Sequence, residues 1–261
     1  MDFKTFDTKM REFEASLDVC VPAGSYMVAR LDGHGFSKMT KRLKFEKPFD
    51  PRFHALMLHV LRGLMEKANL HIVYGYTQSD EISLLFAADE QSYDRKTRKF
   101  NSLLAGYASA FATEYLVKEM GVAEPIVFDC RLIPLPTPED VCDYFVWRKE
   151  DSERNALNGY CYWMLRQKDN RSARYAASTM ENKSIAWKRN LLRKRFDTYF
   201  DDAPAWERHG CGMYFTTVTS DGYNPVTKEH VTCERRRLVT IENLEPNDWY
   251  RRYLTETFLR Q

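Results

Sequence analysis

The 261-residue chain lacks any long hydrophobic run. No stretch approaches the roughly 18 consecutive apolar residues of a membrane-spanning helix, so no membrane partner is expected. The opening residues, MDFKTFDTKM, contain no apolar leader segment. The protein is therefore expected to be soluble and cytoplasmic. Cysteine is sparse, with six in all: Cys20, Cys130, Cys142, Cys161, Cys211 and Cys233. None forms a CxxC pair and no histidine stands at ligand spacing from them, which argues against a structural zinc module. In a chain of this length they read as free thiols in a reducing compartment. A large excess of charge of one sign is missing too. A net charge of +2 says nothing in bulk about a nucleic-acid partner, so local clusters must carry that question. No linker, low-complexity tract or internal repeat interrupts the chain, and no Ser-His or Cys-His pair suggests a protein nucleophile.

What is present is organised around Tyr26 to Phe36, YMVARLDGHGF. An apolar strand delivers Asp32 into a turn containing Gly33 and Gly35. A carboxylate beside close-approaching backbone suits a hard cation and a phosphate. An ordinary Asp-Gly turn remains the alternative. A second stretch, LHIVYGYTQSDEISLLF, reads as strand, turn, strand with Ser79, Asp80 and Glu81 at the bend. A solvated hairpin tip is the bland reading. Two carboxylates at neighbouring strand ends could instead hold two divalent ions across a phosphoryl transfer.

Around these stretches the periodicity predicts helices over Asp2–Leu17, Phe36–Leu43, Pro51–Asn69 and Gln91–Glu119, and a strand over Pro125–Arg131. The order strand, helix, strand, strand, helix, strand is the ferredoxin-like pattern. It sets Asp32 and the Ser79–Glu81 bend on adjacent central strands. His54 and His59 are five apart and share no helical face, so neither is read as a ligand. Arg95, Lys96, Arg98 and Lys99 crowd a helix N-terminus against the macrodipole, which suggests an anionic partner or else a solvated face. Beyond Pro134, Glu139–Lys149 and Arg154–Gln167 look helical, and Cys211–Val218 and Val231–Leu238 look like strands. Lys183–Phe196 reads as a basic helix whose Lys183, Lys188, Arg189, Arg193, Lys194 and Arg195 could follow an RNA backbone. Arg235 to Arg237 form a second basic knot. Trp187, Phe196, Tyr199 and Trp206 interleave these charges, a pattern consistent with stacking of single-stranded RNA ends, with a solvated charged face as the alternative.

The motifs RLDGHGF, FEKPFD, GYTQSDE and RKTRKF, in this order, closely resemble the histidine-tRNA guanylyltransferase family and its bacterial guanylyltransferase-like relatives. The resemblance implies an α+β fold with a polymerase palm-like core of ferredoxin-like βαββαβ order. Residues 1–135 would form the catalytic core, and residues 136–261 would add helices and strands that complete it and bind RNA. It implies nucleotidyl transfer to the 5′ end of tRNA, with ATP and GTP as substrates, two Mg²⁺ ions and a homotetrameric assembly. By the same resemblance Asp32, Asp80 and the Gly33 carbonyl would hold the metals, with Glu81 beside them. Gly33, His34, Gly35, Phe36, Lys47, Asp50 and Ser79 would hold the activating nucleotide. Arg30, Lys96, Lys99 and Asn155 would meet a second triphosphate or the RNA 5′ end.

Three departures from the family pattern matter. His34-Gly35 stands where eukaryotic members often carry Arg-Asn. A lysine stands where the family has an arginine near Lys96. Glu153, in DSERNA, occupies the place of an anticodon-reading histidine. A bare carboxylate there would repel RNA, so the expected activity is template-dependent 3′-to-5′ addition that repairs 5′-truncated tRNA. The alternatives are a dedicated guanylyltransferase for histidine tRNA, a nucleotide cyclase on the same palm, and a catalytically dead RNA-binding module.

Overall fold

A computed structural model describes residues 2–223, 226, 228 and 230–259. The chain begins with α1 (Phe3–Ala15), β1 (Tyr26–His34), α2 (Phe36–Arg42) and α3 (Pro51–Lys67). A hairpin of β2 (Ile72–Gln78) and β3 (Glu81–Phe86) follows, then α4 (Thr97–Met120) and β4 (Val127–Leu135). The second half contributes α5 (Pro138–Gln167), α6 (Ala173–Met180), α7 (Ile185–Phe196) and α8 (Ala205–His209). It ends with β5 (Cys211–Tyr223), β6 (His230–Ile241) and α9 (Asn247–Leu254).

One sheet runs through both halves, in the order β4-β1-β3-β2-β5-β6, every neighbour antiparallel. Its first four strands have the expected ferredoxin-like order, and β5 adds to β2 so that the C-terminal hairpin extends the same sheet. Strand β1 is apolar on both sides because both faces of the sheet are covered. Met27, Ala29 and Leu31 pack with α3 and α4, while Val28 joins Tyr74, Tyr76 and Leu85 beneath α5 and α9. A register irregularity between Ile72 and Tyr74 moves β2 from one face to the other.

Local chemistry sets the helix ends. Asp50 caps α3 and Pro51 opens it, while a reciprocal Thr137–Asp140 capping box starts α5. Gly121, at φ 65°, ends α4. The two helices expected at 139–149 and 154–167 are one 30-residue helix, because no proline or glycine stops it between Lys149 and Arg154. The helix expected from Gln91 begins only at Thr97. Before it a tight turn, Ser92–Arg95, carries Tyr93, Asp94 and Arg95 at positive φ. The periodic apolar residues of α1 stay exposed, with Phe3 79% and Phe13 65% accessible and no residue of the helix buried. Among the described residues no helix is long and apolar enough to cross a membrane.

Candidate active site

Strand pairing brings the two key carboxylates together. Asp32 on β1 stands opposite Glu81 on β3 and Asp129 on β4, so three acidic residues cross one face of the sheet side by side. Sequence reasoning missed Asp129, since only the β4 register reveals it. The Gly33 N–H donates to the Asp80 carbonyl over 3.0 Å, which fixes the β1 end against the hairpin turn. A Cβ on Gly33 would overlap the Phe36 ring and crowd the Asp80 Cβ at 3.0 Å, so this close approach requires glycine. Gly35, at φ 78°, then starts α2, and Ser79, at φ 54°, makes the turn that presents Asp80. His34 closes β1 opposite Val127 and is exposed.

Burial pushes the Asp80 carboxyl above its ordinary value. The Asp32 charge adds to the rise, while the Ser79 hydroxyl, which donates to Asp80 over 3.1 Å, and the Lys47 charge oppose it. Two neighbouring carboxylates of this kind are a donor set that fits a hard divalent ion. Glu81 differs. Burial raises its carboxyl as well, and the Arg148 and Arg30 guanidinium groups only partly offset that rise. Arg30 pairs with one Glu81 oxygen and the Arg148 Nε lies 2.9 Å from the other. Glu81 is thus a salt-bridged link behind the pair of aspartates.

The link continues into α5. Arg148 also reaches Asp151 over 2.6 Å, and Asp151 takes Arg154 and, over 3.3 Å, the Asn155 amide. Arg30 and Asn155 therefore share one polar chain. Arg148 and Asp151 carry that chain and were not singled out from the sequence, because only folding sets α5 against the sheet. Lys96 and Lys99 are elsewhere. The backbone around Lys96 pairs with Val19, Cys20 and Val21, and Arg95 donates to Ser25 over 2.6 Å, immediately before β1 begins. The two lysines stand at the end of β1 opposite Asp32, so within one chain they do not join Arg30 and Asn155. Their cluster is also largely spoken for: Arg95 is buried, and Lys96 and Arg98 pair with Asp18.

A cleft opens beside Asp80. Phe36, Lys47, Asp50 and Ser79 line it, together with Phe45, Phe49, His54 and Trp206. The Lys47 ammonium donates to the Thr40 hydroxyl over 3.0 Å and leaves its charge toward Asp80. Asp50 plays a different part from the expected nucleotide contact. Its oxygens accept from the Glu46 N–H over 2.7 Å, the Arg52 N–H over 2.8 Å and the Arg52 guanidinium. Burial alone would raise this carboxyl, but these bonds hold it at about 2. Asp50 shapes the wall of the cleft. His54 and Trp206 stack at 4.3 Å and 20°, with Phe49 edge-on to Trp206. Burial lowers His54 to about 4, so the ring is neutral and forms a flat apolar wall. The sequence offered no signal for this wall, since Trp206 reaches it from α8.

The basic helix α7 divides its cations. Arg189 binds Glu153 over 2.9 Å and Asp201 over 2.5 Å, and Arg195 binds Asp169 over 2.6 Å. Arg189 is thus withdrawn from the expected RNA-contacting set. Lys183, over the Trp187 ring at 5.5 Å, and the exposed Arg193 remain on the surface, with Lys188 half-buried. Glu153 is correspondingly not a bare carboxylate. It lies between Arg189 and His209, whose Nε2 is 3.9 Å away and 3.1 Å from Glu245. Glu153, His209 and Glu245 converge closely enough to hold a metal. Lys149 and Arg208 pair with Glu245, at 3.9 and 3.5 Å, and Arg189 pairs with Glu153, so cations already balance this cluster.

The family model described as tRNAHis guanylyltransferase matches residues 7–136, and that described as Thg1 C terminal domain matches residues 139–244. A probable tRNA(His) guanylyltransferase of Mus musculus is 30% identical over 215 residues, covering 80% of this chain and 70% of the relative. One of Dictyostelium discoideum is 27% identical, covering 84% and 85%. Among solved structures, a bacterial tRNA(His) guanylyltransferase-like protein in complex with ATP superposes with a TM-score of 0.76 at 20% identity, covering 97% of this chain and 99% of that one. The Saccharomyces cerevisiae enzyme superposes with a TM-score of 0.71 at 22% identity, covering 78% and 90%. The chain belongs to the tRNA(His) guanylyltransferase family and is a nucleotidyltransferase.

Proposed function

We propose that the protein activates the 5′ end of tRNA with a nucleoside triphosphate and then extends that end in the 3′-to-5′ direction opposite a template base. The observation that carries this reading is the crowded Asp32–Asp80 pair at the head of an aromatic-walled cleft, with Lys47 beside it. In the first step a 5′-phosphate oxygen attacks the α-phosphorus of the triphosphate and pyrophosphate leaves. In the second, the 3′-hydroxyl of an incoming nucleotide attacks the activated 5′-phosphorus and a nucleoside monophosphate leaves. Both displacements need alignment and charge neutralisation rather than a protein nucleophile. Two Mg²⁺ ions held by Asp32, Asp80 and the Gly33 carbonyl would supply that neutralisation. Lys47 and the backbone N–H groups of His34 to Phe36 hold the activating triphosphate, the Gly33 N–H being engaged by the Asp80 carbonyl. Ser79 orients Asp80, and Phe36, Phe49, His54 and Trp206 exclude water from the cleft. The ATP and GTP complexes of bacterial relatives support these two nucleotides as substrates.

Repair of truncated ends is favoured by the state of Glu153. Held by Arg189, it does not repel RNA, which corrects the expected reason, yet it presents no donor to read an anticodon base. Selection then falls to base pairing at the 5′ end, where the protein needs only backbone contacts. Dedicated guanosine addition is the second reading, favoured by the names of the relatives. A panel of 5′-truncated tRNAs with exchanged anticodons and exchanged template bases separates the two. Comparable addition of whichever nucleotide pairs with the template is expected; strict dependence on the histidine anticodon, or guanosine whatever the template, overturns repair. The assembly belongs to the same reading. The exposed apolar side of α1 offers a surface for a homotetramer, and sedimentation equilibrium measures it.

A further inference from the structure

Trp147 is an unusual surface residue. It lies on α5 with 53% of its area exposed, although a residue of its size would gain by burial. Its ring is not loosely held. The Arg148 guanidinium carbon lies 4.2 Å from the ring centroid, and Tyr144 meets the ring edge-on at 5.9 Å. Both supports are anchored on β3. Arg148 holds Glu81 at 2.9 Å, and the Tyr144 hydroxyl bonds to the Ser83 hydroxyl over 3.2 Å. The indole is therefore fixed, backed by a cation, and linked through Arg148 to the strand position opposite Asp32. A groove begins at Trp147 and runs between α5 and the start of α7, past Arg154 and Ile185. The acids that share this groove are engaged: Asp151 by Arg148 and Arg154, Glu153 by Arg189, and Glu150 by the Asn247 amide.

We infer that the exposed face of Trp147 is the stacking platform for the 5′-terminal base of the RNA, setting its phosphate over Asp32 and Asp80. The inference rests on the function proposed above and names a positioning residue for it. A rigid indole backed by a guanidinium takes any base by its π-face, which suits an enzyme that must accept different end sequences. The link through Arg148 to Glu81, the strand position opposite Asp32, assigns it the terminal base, and the groove leads the following backbone along α5.

The test uses an RNA acceptor stem carrying 2-aminopurine as its 5′-terminal, 5′-phosphorylated nucleotide, because stacking on an aromatic ring quenches this base. The wild-type protein should quench it. Trp147→Ala should lose the quench and raise KM for the RNA at least about five-fold while leaving KM for the triphosphate unchanged. Trp147→Phe should keep both properties, which separates stacking from a folding defect. A quench that persists in Trp147→Ala overturns the platform. So does a Trp147-dependent quench of free 2-aminopurine riboside triphosphate without RNA, which would give the ring to the incoming nucleotide. A changed sedimentation coefficient with an unchanged quench also overturns it, assigning Trp147 to a subunit contact. Binding is read without turnover, so failure of nucleotide addition by the wild-type protein would sink the proposed function while leaving the platform measurable.

Discussion

Asp80 is held in a protonation balance that a cation would tip. Burial and the neighbouring Asp32 charge raise its folded pKa above the ordinary carboxylate value of 3.8. A raised folded pKa favours the native state of the protonated group below that value, and this stability is lost as pH rises through the folded pKa. At neutral pH the ionised pair therefore opposes folding, and a bound divalent ion removes the opposition. Adding Mg²⁺ should raise Tm at pH 7.5 and do so much less at pH 4. Asp80→Asn should raise the Tm measured in EDTA, cancel the Mg²⁺ shift and abolish both nucleotidyl steps. A mutant that keeps the shift would move the metal away from Asp80. Asp50 has the opposite sign. Its pKa falls to about 2, so its contribution is full above 3.8 and fades as pH drops toward 2. Asp50→Ala should lose about 2 kcal/mol at pH 7. The gap from wild type in urea unfolding should narrow below pH 3.

At the level of elements, the junction of β1 with α2 and the helix α7 make contrasting demands. Gly33 lies where a strand end, the Phe36 ring and Asp80 meet with no space for a methyl group. Gly33→Ala should cost about 1–3 kcal/mol through overpacking and should displace Asp32 from Asp80. Activity should then fall far more than stability, as activity and thermal unfolding on one preparation would report. Helix α7 mixes structural and free cations. Arg189 ties α7 to Glu153 on α5 and to Asp201. Arg189→Ala should lower Tm and leave the salt dependence of tRNA binding nearly unchanged. Lys188→Ala with Arg193→Ala should leave Tm alone and flatten the salt dependence by about one slope unit for each phosphate that is no longer neutralised. Equal salt slopes for the double mutant and the wild type would take α7 out of the RNA interface.

Across the whole molecule, the two halves share a sheet and a core. Tyr76 bonds through its hydroxyl to Ser152 over 2.6 Å and to the His209 carbonyl over 2.8 Å, joining β2 to α5 and α8. Tyr74 bonds to Tyr250 over 2.7 Å, joining the same strand to α9. Without residues 137–261 the sheet would expose Val28, Tyr74, Tyr76 and Leu85 together. The full chain should unfold in one calorimetric transition. A fragment of residues 1–136 should lack near-UV circular dichroism or aggregate, and a monomeric fragment with native-like spectra would make it an independent domain.

The sequence by itself determined the strand–helix order, the four-strand core and the positions of Asp32 and Asp80. Those features depend on local periodicity and turn chemistry, which a chain carries without its neighbours. Gly33 and Ser79 were legible for the same reason, as short-range punctuation around the two carboxylates, whereas Lys47 was singled out only by its place in a motif resembling the family's. Only the tertiary structure decided which charges are free. Asp50, Arg189 and Glu153 look alike as solvent-facing ions in a linear chain, yet each is consumed by a partner set by packing. The separation of Lys96 and Lys99 from Arg30 likewise follows from α4 starting at the far end of the sheet. Asp129, Arg148, Trp147 and Trp206 enter the site through strand register and helix docking, and pairings between distant parts of the chain leave no trace in a local pattern.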